Sequence, residues 1–105
     1  MKKIKMNFLN EEREFEVRKG FYDFPHNLAL ALYDNDELFG VVTVNFPDED
    51  LVEDVAYLDT NNFPDIENAF FECGLYTYRN KQSGFCSYPA WYFTADFLEE
   101  CGDMA

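Results

Sequence analysis

The sequence predicts an α+β domain: an antiparallel sheet of about five or six strands, one main helix packed on a face, and a short helix near the C-terminus. Three observations predict it. Apolar and polar residues alternate with period two in several short segments, the mark of half-buried strands. The run Leu38 to Phe46 is rich in β-branched residues. Ile66, Ala69, Phe70 and Cys73 fall at i, i+3, i+4 and i+7, one stripe of a helix.

Each element follows from its residues. Ile4, Met6 and Phe8 alternate with Lys3, Lys5 and Asn7, and Phe15 and Val17 alternate with Glu14, Glu16 and Arg18. Joined by the turn at Leu9-Asn10-Glu11, they read as an antiparallel hairpin with bases facing acids. Gly20 and Pro25 bracket an aromatic loop, Phe21-Tyr22-Asp23-Phe24. Leu28 to Tyr33 is a strand closed by the Asp34-Asn35-Asp36-Glu37 turn. Leu38 to Phe46 is the next strand, and Pro47 ends it because proline cannot donate to a ladder. Val55 to Leu58 is a short strand. Asn62 is the chemically best cap for the helix, with Pro64 in its first turn and Gly74 as a left-handed stop. Leu75 to Tyr78 reads as a strand, Arg79 to Gly84 as a polar loop, and Phe85 to Phe93 as a last strand with Pro89 at an edge or bulge. Thr94 caps a short helix from Ala95 to Cys101, ended by Gly102.

The chain has 105 residues, 48% of them apolar and 19% aromatic, which excludes a disordered acidic tail. The length suits one domain, residues 1–105, able to bury roughly two-thirds of its unfolded surface. Eight bases against 21 acids give a net charge of −13. The charge is uneven. Residues 1–19 are net +2, residues 20–78 carry thirteen acids and no Lys or Arg, and residues 79–105 are net −2. Such a field opposes direct binding to nucleic acid or an anionic membrane. It reads either as solvated turns and sheet faces or as an acidic face shaped for a basic protein surface.

Met1-Lys2-Lys3 is basic, but Lys5, Asn7 and Asn10 interrupt the segment behind it, so no export signal forms and no stretch is long enough to span a membrane. The expectation is a cytoplasmic protein whose three cysteines, Cys73, Cys86 and Cys101, stay reduced. Their spacing with His26 contains no C-x-x-C knuckle, so no metal site is assigned. Asp34-Asn35-Asp36 begins like a calcium loop, but Leu38 and Phe39 stand where a ligand and the glycine belong. Asp48, Glu49, Asp50, Glu53 and Asp54 read as solvated acidic turns. No glycine-rich phosphate loop exists, and no cofactor is expected.

His26 is the one imidazole and Cys86 the most plausible nucleophile, but Ser83-Gly84-Phe85-Cys86-Ser87 matches no nucleophile elbow. No catalytic residue is assigned. The binding candidates lie in two polar clusters: Asp59, Thr60, Asn61 and Asn62 in one, and Ser83, Gly84, Cys86 and Tyr88 in the other. Short amides and hydroxyls beside aromatics can read a ligand's polar groups. They also build turns and satisfy their own backbone.

These clusters carry a resemblance. Leu58-Asp59-Thr60-Asn61-Asn62 with Pro64, then Gly74-Leu75, then Ser83-Gly84-Phe85-Cys86 and Tyr88-Pro89 resemble the bacterial domain-of-unknown-function family numbered 4313 over roughly residues 28 to 93. Val42-Thr43-Val44-Asn45-Phe46-Pro47 resembles its strand-then-proline pattern. Pro89-Ala90-Trp91-Tyr92 departs from the Pro-Leu-Tyr ending the pattern implies. The resemblance implies a small bacterial cytosolic protein, often linked with mobile genetic elements, and supplies no catalytic residue.

Three functional expectations result. The first is a non-enzymatic binding or interaction domain. The second, a special case, is an acidic mimic of DNA that inhibits a DNA-binding protein, its carboxylates standing where phosphates would. The third is a small enzyme using Cys86 with His26. Tyr76, Tyr78, Tyr88, Trp91, Tyr92 and Phe93, crowded near the C-terminus, fit either an aromatic core or a homodimer contact.

Overall fold

A computed structural model describes residues 1–104. Strand pairing dominates it, with two short helices. The elements run β1 (Lys2–Phe8), β2 (Glu11–Phe21), β3 (Leu28–Asp34), β4 (Glu37–Val41), β5 (Thr43–Val44), β6 (Val55–Leu58), α1 (Ile66–Ala69), β7 (Gly74–Ser83), β8 (Cys86–Phe93), α2 (Ala95–Glu100) and β9 (Gly102–Asp103). They form two sheets. One runs β1-β2-β3-β4, with β9 added to β2; the other runs β5-β6-β8-β7. Every pairing is antiparallel except β9 on β2.

The expected strand from Leu38 to Phe46 bends at Val42, and the bend joins the sheets. The Val42 N–H donates to the Leu30 carbonyl of β3 (2.9 Å), while its C=O accepts the Asp59 N–H beyond β6 (2.8 Å). One stretch of chain therefore serves β3 with its first half and β6 with its second. Between the sheets lies the main core, including Met6, Phe15, Val17, Leu30, Leu32, Val42, Leu58, Ile66, Phe70 and Phe93. A second small cluster, Val55, Tyr57 and Ala90, lies beneath Phe46, Leu51 and Tyr88. Alternation thus buries all four residues of β6, two in each cluster.

The first hairpin pairs as its alternation predicts, with Lys3 opposite Glu16 and Lys5 opposite Glu14. Leu9 and Asn10 both take positive φ (52° and 63°), and so do Asn35 and Asp36 (50° and 66°), the geometry of two-residue hairpin turns.

The main helix is a correction. Its apolar stripe is real: Ile66, Phe70 and Cys73 are buried. Yet α1 has four residues, and the chain then tightens into a 3₁₀ turn, Phe71–Cys73. The Phe70 carbonyl accepts both the Cys73 N–H (2.9 Å) and the buried Trp91 Nε1–H (3.3 Å), which ties the segment to β8. Such a turn still points every third or fourth residue inward, so periodicity survives without a long helix. Asn62 caps no helix; Asp65 holds that position, with no side-chain cap bond. Gly74 is extended (φ 178°), not left-handed, and already belongs to β7. A side chain there would meet the Tyr92 carbonyl oxygen, 2.2 Å from a Cβ position.

The polar segment Arg79 to Gly84 is also strand down to Ser83, broken by a bulge between Tyr76 and Asn80. Pro89 pairs with Asn80 just past that bulge, one residue beyond the run paired with β6. Thr94 caps α2 as expected, its Oγ1 accepting the Phe97 N–H (3.2 Å). Lys19 closes the other end, donating to the Leu98 and Cys101 carbonyls (2.7 and 3.2 Å). Among the described residues no helix is long and apolar enough to cross a membrane.

Candidate functional site

The two polar clusters meet. The Thr60 hydroxyl donates to the Ser87 carbonyl (3.3 Å), which places the 59–62 turn against the start of β8. Most of their polar atoms are already occupied. Buried Asp59 accepts the Asn62 backbone N–H (3.1 Å) and its side-chain amide (2.8 Å), a self-contained turn. Ser83 and Cys86 are opposite each other across the turn, and Gly84 supplies its positive φ of 60°. Cys86 and Tyr88 share a face of β8, and the neighbouring thiol raises the Tyr88 pKa. Asn61 and Asn62 line an open groove of about 770 Å³ shared with Asn7, Asn10 and Asp65. Local turn geometry thus accounts for most of this set.

Cys86 and His26 are not brought together by any contact in the structure. His26 stacks on Phe21, ring centroids 4.9 Å apart, and lines two grooves that do not include Cys86. Cys73 and Cys101 are buried; burial raises both thiol pKa values, that of Cys101 to about 12. Thiols so shifted are poor nucleophiles at neutral pH. Among the described residues no three His, Cys, Asp or Glu side chains gather as metal ligands.

A different site is more highly organised. The 21–27 loop and the 45–54 loop are locked together by Asn27, buried between them. Its amide donates to Asn45 Oδ1 and to the Glu49 carbonyl (both 2.8 Å), and its Oδ1 accepts the Leu51 N–H (2.9 Å). Asn45 in turn donates to the Pro25 carbonyl (3.2 Å). The Tyr22 hydroxyl shares a hydrogen bond with Thr43 Oγ1 (2.8 Å). Every polar group of the Asn27 side chain is engaged, so the amide fixes both backbones.

On this scaffold sit exposed apolar side chains, Phe24 at 83% and Val52 at 72% exposure. Two grooves flank His26. One, about 380 Å³, is walled by Phe24, Pro25 and Pro47 and rimmed by Asp23, Asp48 and Asp50. The other, about 240 Å³, is rimmed by Glu53 and Asp54. Bases reach only part of this end. Lys81 pairs with Asp48 (2.7 Å), and Arg79 pairs with Glu49 (2.7 Å). Glu49 also accepts the Tyr57 hydroxyl (2.7 Å), the chief reason its pKa falls below the usual carboxylate range. Asp23, Asp50, Glu53 and Asp54 have no ion-pair partner among the described residues. The sequence marks the aromatic loop and the acidic run but not their junction, because its organiser, Asn27, looks like an ordinary turn residue.

Bent sheets carrying a rigid acidic end, without an assembled catalytic group among the described residues, define a small acidic α+β domain. The chain belongs to the family described as Domain of unknown function (DUF4313), whose model matches residues 15–104. No curated protein and no solved structure matches it.

Proposed function

We propose that this protein is a non-enzymatic interaction domain that takes a basic surface of another protein on its 21–27 and 45–54 loops. One observation carries the reading: four unpaired carboxylates, Asp23, Asp50, Glu53 and Asp54, surround exposed Phe24 and Val52 on loops held rigid by a buried amide. Unpaired acids in a chain of net charge −13 repel one another and cost stability. Apolar anchors inside a charged rim are how interaction surfaces combine affinity with steering. A rigid platform also loses little entropy on binding.

The narrower reading, a mimic of DNA, requires carboxylates in one long row. The thirteen acids of residues 20–78 divide among the 21–27 loop, the β3–β4 turn, the 45–54 loop and the neighbourhood of α1, which supports a local contact instead. The test is capture of partners on immobilised protein at low and high salt. The wild type should capture a basic protein that high salt releases, because a Debye length of about 8 Å at physiological ionic strength shortens further. The quadruple variant Asp23→Asn, Asp50→Asn, Glu53→Gln, Asp54→Asn should capture none. Retention of the same partner by that variant would end the reading.

A further inference from the structure

We infer that the groove beside Phe24 takes an arginine side chain of the partner protein, its guanidinium lying on the Phe24 ring and bonded to Asp23 and Asp50. This rests on the reading of that end as an interaction surface and names the group the surface recognises.

The molecule's own bases supply the pattern. Arg13 lies over the Phe15 and Phe39 rings and bonds Asp34. Arg18 lies over the Tyr33 ring and bonds Glu16 and Asp36. Lys81 lies over the Phe46 ring and bonds Asp48. In each case a ring carries the cation and a carboxylate neutralises it. The Phe24 groove has the ring and the carboxylates but no base of its own. Among the described residues no Lys or Arg lies over Phe24, and Asp23 and Asp50 take part in no ion pair.

The groove is also built to hold its shape. Its volume of about 380 Å³ falls at the small end of ligand clefts, and Pro25 and Pro47 wall it. The backbone around Phe24 is fixed on both sides. The Tyr22 N–H donates to the Asn27 carbonyl (3.0 Å), the Asn27 N–H to the Pro25 carbonyl (2.8 Å), and the Asn45 amide to the Phe24 carbonyl (3.4 Å). The Phe24 ring is thereby presented at 83% exposure. His26 is engaged by the Phe21 ring and pairs with neither acid, and Asp48 already holds Lys81. Asp23 and Asp50 are left for an incoming group.

Charge and shape select arginine. A neutral or acidic side chain would leave both carboxylates uncompensated in a chain of net charge −13. A lysine ammonium is a compact, strongly hydrated point charge. A planar guanidinium can rest its face on a ring while its edge donates to carboxylates.

The experiment is an amide chemical-shift titration at low salt with two peptides of equal charge, tetra-arginine and tetra-lysine. Tetra-arginine should bind at least about threefold more tightly, with shifts centred on residues 21–27 and 45–54. Phe24→Leu changes an exposed side chain, so the fold should persist, and it should erase the preference by weakening tetra-arginine alone. Phe24→Tyr keeps the ring and should keep the preference. Asp23→Asn combined with Asp50→Asn should weaken both peptides. Equal affinity at these loops overturns the inference and leaves the basic-partner reading standing. So does an arginine preference that survives Phe24→Leu. Shifts centred on the β3–β4 turn, or binding of neither peptide, overturn both.

Discussion

In the turn between β3 and β4, Asp34 and Asp36 each meet an arginine that lies over an aromatic ring. In the loop after β5, Asp50, Glu53 and Asp54 meet no base. The Arg13 guanidinium sits 5.1 and 4.9 Å from the Phe15 and Phe39 ring centres and bonds Asp34 (2.6 Å). Arg18 lies 4.0 Å from the Tyr33 ring centre and bonds Glu16 and Asp36 (2.9 and 2.7 Å). That clamp lowers the Glu16 pKa and raises that of Arg18. The difference teaches that acid content alone says little about an acidic turn. The deciding factor is whether the neighbouring strand delivers a base in register. β2 does so for the first turn; β7 reaches only Asp48 and Glu49 in the second.

The sharpest way to break the contrast is to remove the amide that keeps the second loop rigid. Asn27→Ala strands the Leu51 N–H and the Glu49 carbonyl and should cost about 2–4 kcal/mol in chemical denaturation. A cost near zero would mean the loops are not fixed by it. Next, Arg13→Ala should cost about 1 kcal/mol through lost ring contact and pairing, whereas Arg79→Ala should stay within about 0.5 kcal/mol, its side chain being 62% exposed. Equal costs would erase the distinction between the turns.

Acid titration sharpens it further. Glu16, Asp48 and Glu49 have folded pKa values below their ordinary ones, from Arg18, Lys81 and Tyr57 respectively as first causes. Depressed carboxyl pKa values stabilise the fold above the unfolded value, and that stability is lost as pH falls through the folded values. Unfolding should therefore set in below about pH 4, and Glu49→Gln should flatten the acid limb of a stability–pH curve. Smallest of all, Asp50→Asn should leave stability unchanged or raise it by a few tenths of a kcal/mol, roughly the scale of one relieved surface repulsion. A clear loss would show that Asp50 has a structural partner.

The strands are largely legible in the sequence because alternation in Ile4-Met6-Phe8 and Phe15-Val17 directly reports which face is buried, while the all-apolar run Val55 to Leu58 reads as a strand buried on both faces. The helix is easily overread because a 3₁₀ turn keeps the stripe Ile66-Phe70-Cys73 without the length. The bend at Val42 leaves no mark, since a valine in a β-rich run gives no sign of bonding two sheets at once. The turns Asp59 to Asn62 and Ser83 to Cys86 are legible as polar clusters, yet their polar atoms mostly satisfy one another. The acidic end depends on Asn27 meeting Asn45, Glu49 and Leu51 across about twenty residues of sequence, and no local pattern encodes such a junction.

The central claim is that this molecule acts through the unpaired charge of one rigid end and not through a reactive thiol. It is tested most directly by measuring partner capture side by side for the quadruple acid variant and for Cys86→Ser. The account predicts that the acid variant loses the partner and Cys86→Ser keeps it. Capture that survives neutralisation of the four acids but disappears with the thiol would contradict it.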